Sequence, residues 1–128
     1  MASKDTRPLS PHLMHYKLPM TAYLSISHRA TGMINSAAIV LLVLVIASAA
    51  GSPDGYGVMA AIVDSWFGTL LLFALTLSLY YHLCNGIRHL FWDVGYGFKV
   101  ETANKSAYVC LAAAATLSVV TWLVAAAS

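Results

Sequence analysis

Charge is what this sequence has least of. Seven Lys and Arg and five Asp and Glu make up 9% of its 128 residues, against roughly a quarter in soluble domains. So few charges cannot clothe a water-facing surface, which excludes an ordinary soluble globule. No basic tract is present, so nucleic acid is not an expected partner. Cysteine is scarce as well: Cys84 and Cys110 both sit in apolar surroundings. They read as small buried hydrophobes, with no disulfide framework. The apolar runs lack the alternation of a barrel strand, which leaves helices as the spanning element. Internal repeats and low-complexity tails are missing too, and 128 residues suit one domain, 1–128. Residues 1–20 contain Pro8, Pro11 and Pro19 and no apolar core. A secretory signal is therefore not expected there. The expectation is an irregular cytoplasmic or interfacial arm, with Leu9, Leu13, Met14, Tyr16 and Leu18 free to lie on lipid or a partner.

What the sequence does have is hydrophobic length: 59% of its residues are hydrophobic. A bilayer core of roughly 30 Å takes about 20 helical residues. Three windows supply that, so the predicted fold is an all-α integral membrane protein with helices at about 22–50, 61–92 (starting at Ala61 or at Ser65) and 106–127. The first is centred on AAIVLLVLVIASAA (37–50). The stretch SPDG (52–55) suits a turn, with Pro53 second and Gly55 fourth. Residues 94–105 form the second loop. All seven Lys and Arg lie before the first span (Lys4, Arg7, Lys17, Arg29) or between the second and third (Arg88, Lys99, Lys105). The positive-inside rule then puts the N-terminus and second loop in the cytoplasm and the C-terminus outside, periplasmic in a bacterium. In the third span Ser106, Cys110, Ala114 and Ser118 recur every four residues, a small-residue stripe that admits a close helix neighbour.

Two polar constellations interrupt this apolar pattern. In YYHLCNGIRHLFWD (80–93), His82, Gly86, His89 and Asp93 fall within roughly 60° on a helix, and Ser78 joins the edge of that face. Gly86, one turn from His82, leaves room for a ligand or another backbone. Arg88 can snorkel to the headgroups, whereas His82 lies about 9 Å deeper and needs a partner. That partner is either a group on a neighbouring helix or an iron, for which imidazole is a good ligand. If haem is bound, a second chain must supply the other axial ligand. In SISHRATG (25–32), Ser25, His28, Arg29 and Gly32 share another helical face. An arginine and a hydroxyl one turn apart suit a quinone oxygen or a haem propionate. The plainer reading is that Arg29 stops the helix sliding inward. A chain this small has little room to enclose a cofactor alone, so a subunit contributing to a shared site fits better than a self-sufficient enzyme.

RPLSPHL (7–13), SISHRATG (25–32) and HLCNGIRHLFWD (82–93) together resemble the cytochrome b membrane anchor of succinate dehydrogenase, respiratory Complex II, of the alphaproteobacterial or mitochondrial kind. The resemblance covers nearly the whole chain. It implies a bacterial inner membrane, or alternatively the mitochondrial inner membrane. It also implies a flavoprotein subunit carrying FAD, an iron–sulfur subunit, and a second hydrophobic anchor in the same bilayer. His82 would be an axial ligand of haem b, shared with the second anchor. Ser25 and Arg29 would bind ubiquinone, with Ser27 as the alternative serine facing the quinone, and His28 and Arg29 would lie near the propionates. Gly86, Arg88, His89 and Asp93 would lie at the cofactor rim or the interface with the iron–sulfur subunit. Succinate chemistry would belong to the partners, and this chain would have no activity by itself. The rival readings are a fumarate reductase anchor, a haem-free structural anchor and a small transporter. A transporter would place ionisable groups at mid-membrane, where the first span is apolar throughout.

Overall fold

The computed structural model describes residues 16–128. The motif at 7–13 and most of the expected arm lie outside the described residues. Four helices follow in order: α1 (Met20–Gly51), α2 (Pro53–Val63), α3 (Trp66–Asp93) and α4 (Val100–Ala127). Three of them, α1, α3 and α4, are long and apolar enough to cross a membrane. With 32, 28 and 28 residues they measure about 48, 42 and 42 Å, more than the hydrocarbon core requires. Their ends therefore reach past it.

Local chemistry sets the helix boundaries. Pro19, extended at ψ 155°, starts α1, and a proline suits the edge of a helix because it has no N–H to leave unpaired. The expected turn at 52–55 is instead the start of a short helix. Ser52 caps it by accepting from Gly55 N at 3.1 Å, Pro53 takes the first helical position, and Asp54 faces the positive end of the dipole. The residues that suit a type I turn also suit a helix N-terminus, and here the helix continues. Of the two predicted starts for the second span the structure takes Ser65: α2 stops at Val63, and Ser65 caps α3 by accepting from Gly68 N at 3.0 Å. Gly68 is buried against this corner, and a Cβ there would collide with the carbonyl oxygens of Ile62 and Val63.

At the other end, α3 closes in a Schellman arrangement. Gly95 has φ +89°, its N–H donates to Trp92 O at 2.8 Å, and Tyr96 N donates to Phe91 O at 2.9 Å. The connection is short, and α4 begins at Val100, six residues before the predicted 106. Its first turns are polar and carry an exposed Glu101–Lys105 pair at 2.7 Å, spaced as a helix favours.

Helix α3 lies between α1 and α4. The face of α4 toward α3 is small: Ala103, Ala107, Cys110, Ala114 and Ser118 are buried. Three members of the expected stripe are among them, with Ser106 half-buried at the edge. Small side chains let the backbones approach, and this replaces the hydrophobic drive that lipid cannot supply. Cys110 packs in this seam with its thiol directed at Cys84 O, 3.3 Å away, and both cysteines are free. The large apolar side chains point outward instead, as Ile39, Leu42, Leu79 and Leu123 do. That is the arrangement expected of a chain dissolved in lipid.

Candidate functional site

The two polar faces read from the sequence meet between α1 and α3. The ring of His28 stacks on that of His82, with centroids 4.0 Å apart and planes 13° from parallel. His89 tilts toward His28 at 5.2 Å and meets Trp92 edge-on at 5.0 Å. Two glycines permit this approach. A Cβ on Gly32 would stand 3.1 Å from His82 Cε1, and one on Gly86 would stand 3.9 Å from His28 Cε1. Gly86 thus opposes the α1 imidazole, and Gly32 does the same for the α3 imidazole.

Hydrogen bonds decide which nitrogen of His82 is available. Its Nδ1 lies 3.1 Å from His28 O and 3.1 Å from Thr31 Oγ1. Thr31 Oγ1 donates its own proton to His28 O at 2.9 Å, so both neighbours present lone pairs to the ring. A carbonyl can only accept, so the bond to His28 O is made by an Nδ1–H, and Nε2 is the ring nitrogen left without a protein partner among the described residues. A metal-ligating histidine is arranged in this way, with the far nitrogen tied to a backbone carbonyl. The residues present therefore fit an axial imidazole. Among the described residues, no three or more His, Cys, Asp or Glu side chains converge on one point. This chain's part would be one ligand and not a polydentate cage.

Beside this pair, two buried polar atoms have no partner among the described residues: His28 Nδ1 and Asn35 Nδ2. They are two turns apart on nearly one line of α1. Asn35 uses its oxygen to accept from Ser78 Oγ at 2.8 Å. Ser25 is half-buried and Arg29 exposed at the outer end of the same face. Ser27 is committed elsewhere: its hydroxyl donates to Tyr23 O at 2.7 Å and contacts the hydroxyl of Tyr81. Asp93 is exposed at the end of α3, and His89 is half-buried above the stacked pair.

Arg88 is turned differently from the reach toward headgroups expected of it. It is 5% exposed. Nε donates to Ser106 Oγ at 2.9 Å, one terminal nitrogen to Asn85 Oδ1 at 3.3 Å and the other to Ala103 O at 2.9 Å. Trp92 covers the guanidinium, with its ring centroid 4.0 Å from Cζ. Arg88 lies about 120° around α3 from His82, and α4 occupies that side. Asn85, fully buried, extends the network by donating to Leu24 O at 3.2 Å, where Tyr81 Oη also donates at 3.0 Å. Sequence reasoning passed over Tyr81, Asn85, Thr31 and Asn35. The available signal was the amides themselves, since a span that carries Asn must satisfy it from another helix.

Three helices long and apolar enough to cross a membrane, with a histidine-bearing polar face between α1 and α3, define an all-helical integral-membrane protein. The comparisons agree. A family model described as succinate dehydrogenase/fumarate reductase transmembrane subunit matches residues 3–121. The succinate dehydrogenase cytochrome b556 subunit of Paracoccus denitrificans is 41% identical over 122 residues, 95% of this chain and 94% of that one. The cytochrome b560 subunit of Reclinomonas americana is 33% identical, covering 92% and 85%. The human mitochondrial b560 subunit is 36% identical, covering 84% of this chain and 64% of its own length. The chain belongs to the succinate dehydrogenase/fumarate reductase transmembrane subunit family, as a multi-pass cytochrome b anchor of Complex II.

Proposed function

We propose that this chain supplies one axial ligand to a haem b and part of a ubiquinone-reduction site, in a complex with a flavoprotein, an iron–sulfur subunit and a second anchor. The observation that carries the reading is the contact of His82 Nδ1 with His28 O at 3.1 Å, which occupies that nitrogen and leaves Nε2 as the one open to a ligand. Haem bound there supplies a one-electron carrier inside the membrane. A second anchor would supply a further histidine to hold the group. The shared face would also give His28 Nδ1 and Asn35 Nδ2 the partners they lack here.

Ser25 and Arg29 bind the quinone in this reading. Ser27 is occupied by the Tyr23 carbonyl and Tyr81, which leaves Ser25 as the hydroxyl available one turn from Arg29. The serine donates to a quinone oxygen, and the guanidinium stabilises negative charge as that oxygen is reduced, an effect strengthened where water is scarce. His28 and Arg29 lie on the propionate side. The positive-inside rule places this end of the bundle in the cytoplasm, where the iron–sulfur subunit docks against His89, Asp93 and the 94–99 turn. The membrane is the bacterial inner membrane, and the reaction is electron transfer from succinate oxidation to the quinone pool. A fumarate reductase anchor would use the same residues in the opposite direction.

The test is a reduced-minus-oxidised optical spectrum of the complex, purified from native membranes through a tag on this chain. A b-type signal in the wild type that vanishes in an assembled His82→Ala complex is the expected result. A signal that survives in His82→Ala removes the ligand assignment. Separately, Arg29→Ala should lower quinone reduction by about 100-fold while succinate oxidation with a soluble acceptor continues. Equal loss of both activities would count against a quinone role.

A further inference from the structure

The ring of His82 has two acceptors at one nitrogen, and only one of them belongs to the backbone. Nδ1 stands 3.1 Å from His28 O and 3.1 Å from Thr31 Oγ1. The carbonyl alone would satisfy an imidazole N–H, so the hydroxyl adds something that pairing does not require.

Thr31 lies three residues on from His28 in α1, and its hydroxyl donates back to His28 O at 2.9 Å. A helical threonine often bonds the preceding turn in this way. Ser36 and Ser48 on the same helix do so too. At Thr31, however, an imidazole from α3 meets the same oxygen, so hydroxyl, carbonyl and ring nitrogen form a triangle. The back-bond uses the only hydrogen of the hydroxyl and leaves lone pairs facing the ring. Other parts of α1 confine that ring as well. The His28 imidazole covers one face, with centroids 4.0 Å apart. At the edge, a Cβ on Gly32 would stand 3.1 Å from Cε1. Rotating His82 about its Cβ–Cγ bond would therefore carry Nδ1 away from both acceptors together.

We propose that Thr31 is a positioning residue for the His82 imidazole. Its hydroxyl, set in direction by the bond to His28 O, fixes the rotation of the ring and acts as a second acceptor for Nδ1–H. This inference rests on the ligand role proposed above for His82. An acceptor at the far nitrogen makes a ligating imidazole the stronger donor. A stronger donor favours the more highly charged ferric state, so Thr31 holds the midpoint potential of the haem down.

The experiment is a redox titration of the b-type optical signal in the complex isolated from native membranes, with the electron paramagnetic resonance spectrum of the oxidised form as a second reading. Thr31→Val keeps the branched shape and removes the lone pairs, whereas Thr31→Ser keeps the hydroxyl and removes only a methyl. Thr31→Val is expected to retain haem and to shift its oxidised-to-reduced ratio about tenfold toward the reduced form at a fixed ambient potential. That equals a rise of about 59 mV in midpoint for one electron. Its ferric g values should move as the ring plane loses its setting, and Thr31→Ser should match wild type in both readings. Should Thr31→Val fail to assemble, Thr31→Ala, which also lacks the hydroxyl, gives the same reading. Wild-type potential and g values in the hydroxyl-free variant overturn the proposal. So does a Thr31→Ser complex shifted as far as Thr31→Val, because packing and not the hydroxyl would then be responsible. His82→Ala, titrated alongside, separates the two levels. A signal that survives in it defeats the ligand reading itself, whereas its loss there with Thr31→Val unchanged defeats only the role of Thr31.

Discussion

The two ends of the bundle are held together by different forces. At the end bearing His82, hydrogen bonds cross from helix to helix: Tyr81 and Asn85 donate to Leu24 O, and Arg88 donates to Ala103 O and Ser106 Oγ. Three of these contacts are buried and the one to Ser106 part-buried. At the end bearing α2, the helix-to-helix polar contacts are fewer and more exposed. Tyr80 Oη meets Thr121 Oγ1 at 2.8 Å and Trp122 Nε1 donates to Thr76 Oγ1 at 3.3 Å, with Phe73 edge-on to Trp122. There the outer half of α1 offers lipid an almost unbroken apolar surface. One end is organised to hold particular groups in particular places, and the other mainly to remain in the membrane.

Four substitutions test that contrast, in descending order of expected effect. Arg88→Met leaves three acceptors without their donor and should cost about 3 kcal/mol, read as a shift in a detergent unfolding titration of the complex. A loss below that of the next variant would mean the buried network is not what holds α3 to α4. Gly68→Ala, at the opposite end, drives a methyl into the carbonyls of Ile62 and Val63. It should cost about 2 kcal/mol in the same titration, making it the one sensitive point of the α2 end. Tyr81→Phe removes a donor to Leu24 O and should cost about 1 kcal/mol in the same titration. Thr76→Val removes the long contact from Trp122 and should stay within about 0.5 kcal/mol. If Thr76→Val matched Tyr81→Phe, the difference between the ends would be one of depth alone.

Much of this was legible beforehand, for identifiable reasons. Spans are readable because lipid demands continuous apolar length, and that demand is local. The faces of His82 and of Ser25 with Arg29 followed from 100° per residue, which needs no tertiary knowledge. The α2 helix was hidden because Ser52, Pro53 and Asp54 satisfy a turn and a helix start equally well. Its N-cap signals were present in SPDG all the same. The start of α4 at Val100 was missed because its first turns are polar, and hydropathy marks the membrane rather than the helix.

Composition and periodicity alone determined that this chain is a three-span helical membrane protein with two polar faces near one end, because lipid imposes its rules on each segment separately. Which way a side chain turns once the helices meet depended on what stood opposite it. The stacking of His28 on His82, the tautomer set by His28 O, the capture of Ser27 by Tyr81 and the burial of Arg88 against α4 are all contacts between residues at least 15 positions apart. No local pattern encodes such a contact. Only packing, in which most buried donors find an acceptor at their own depth, could decide them.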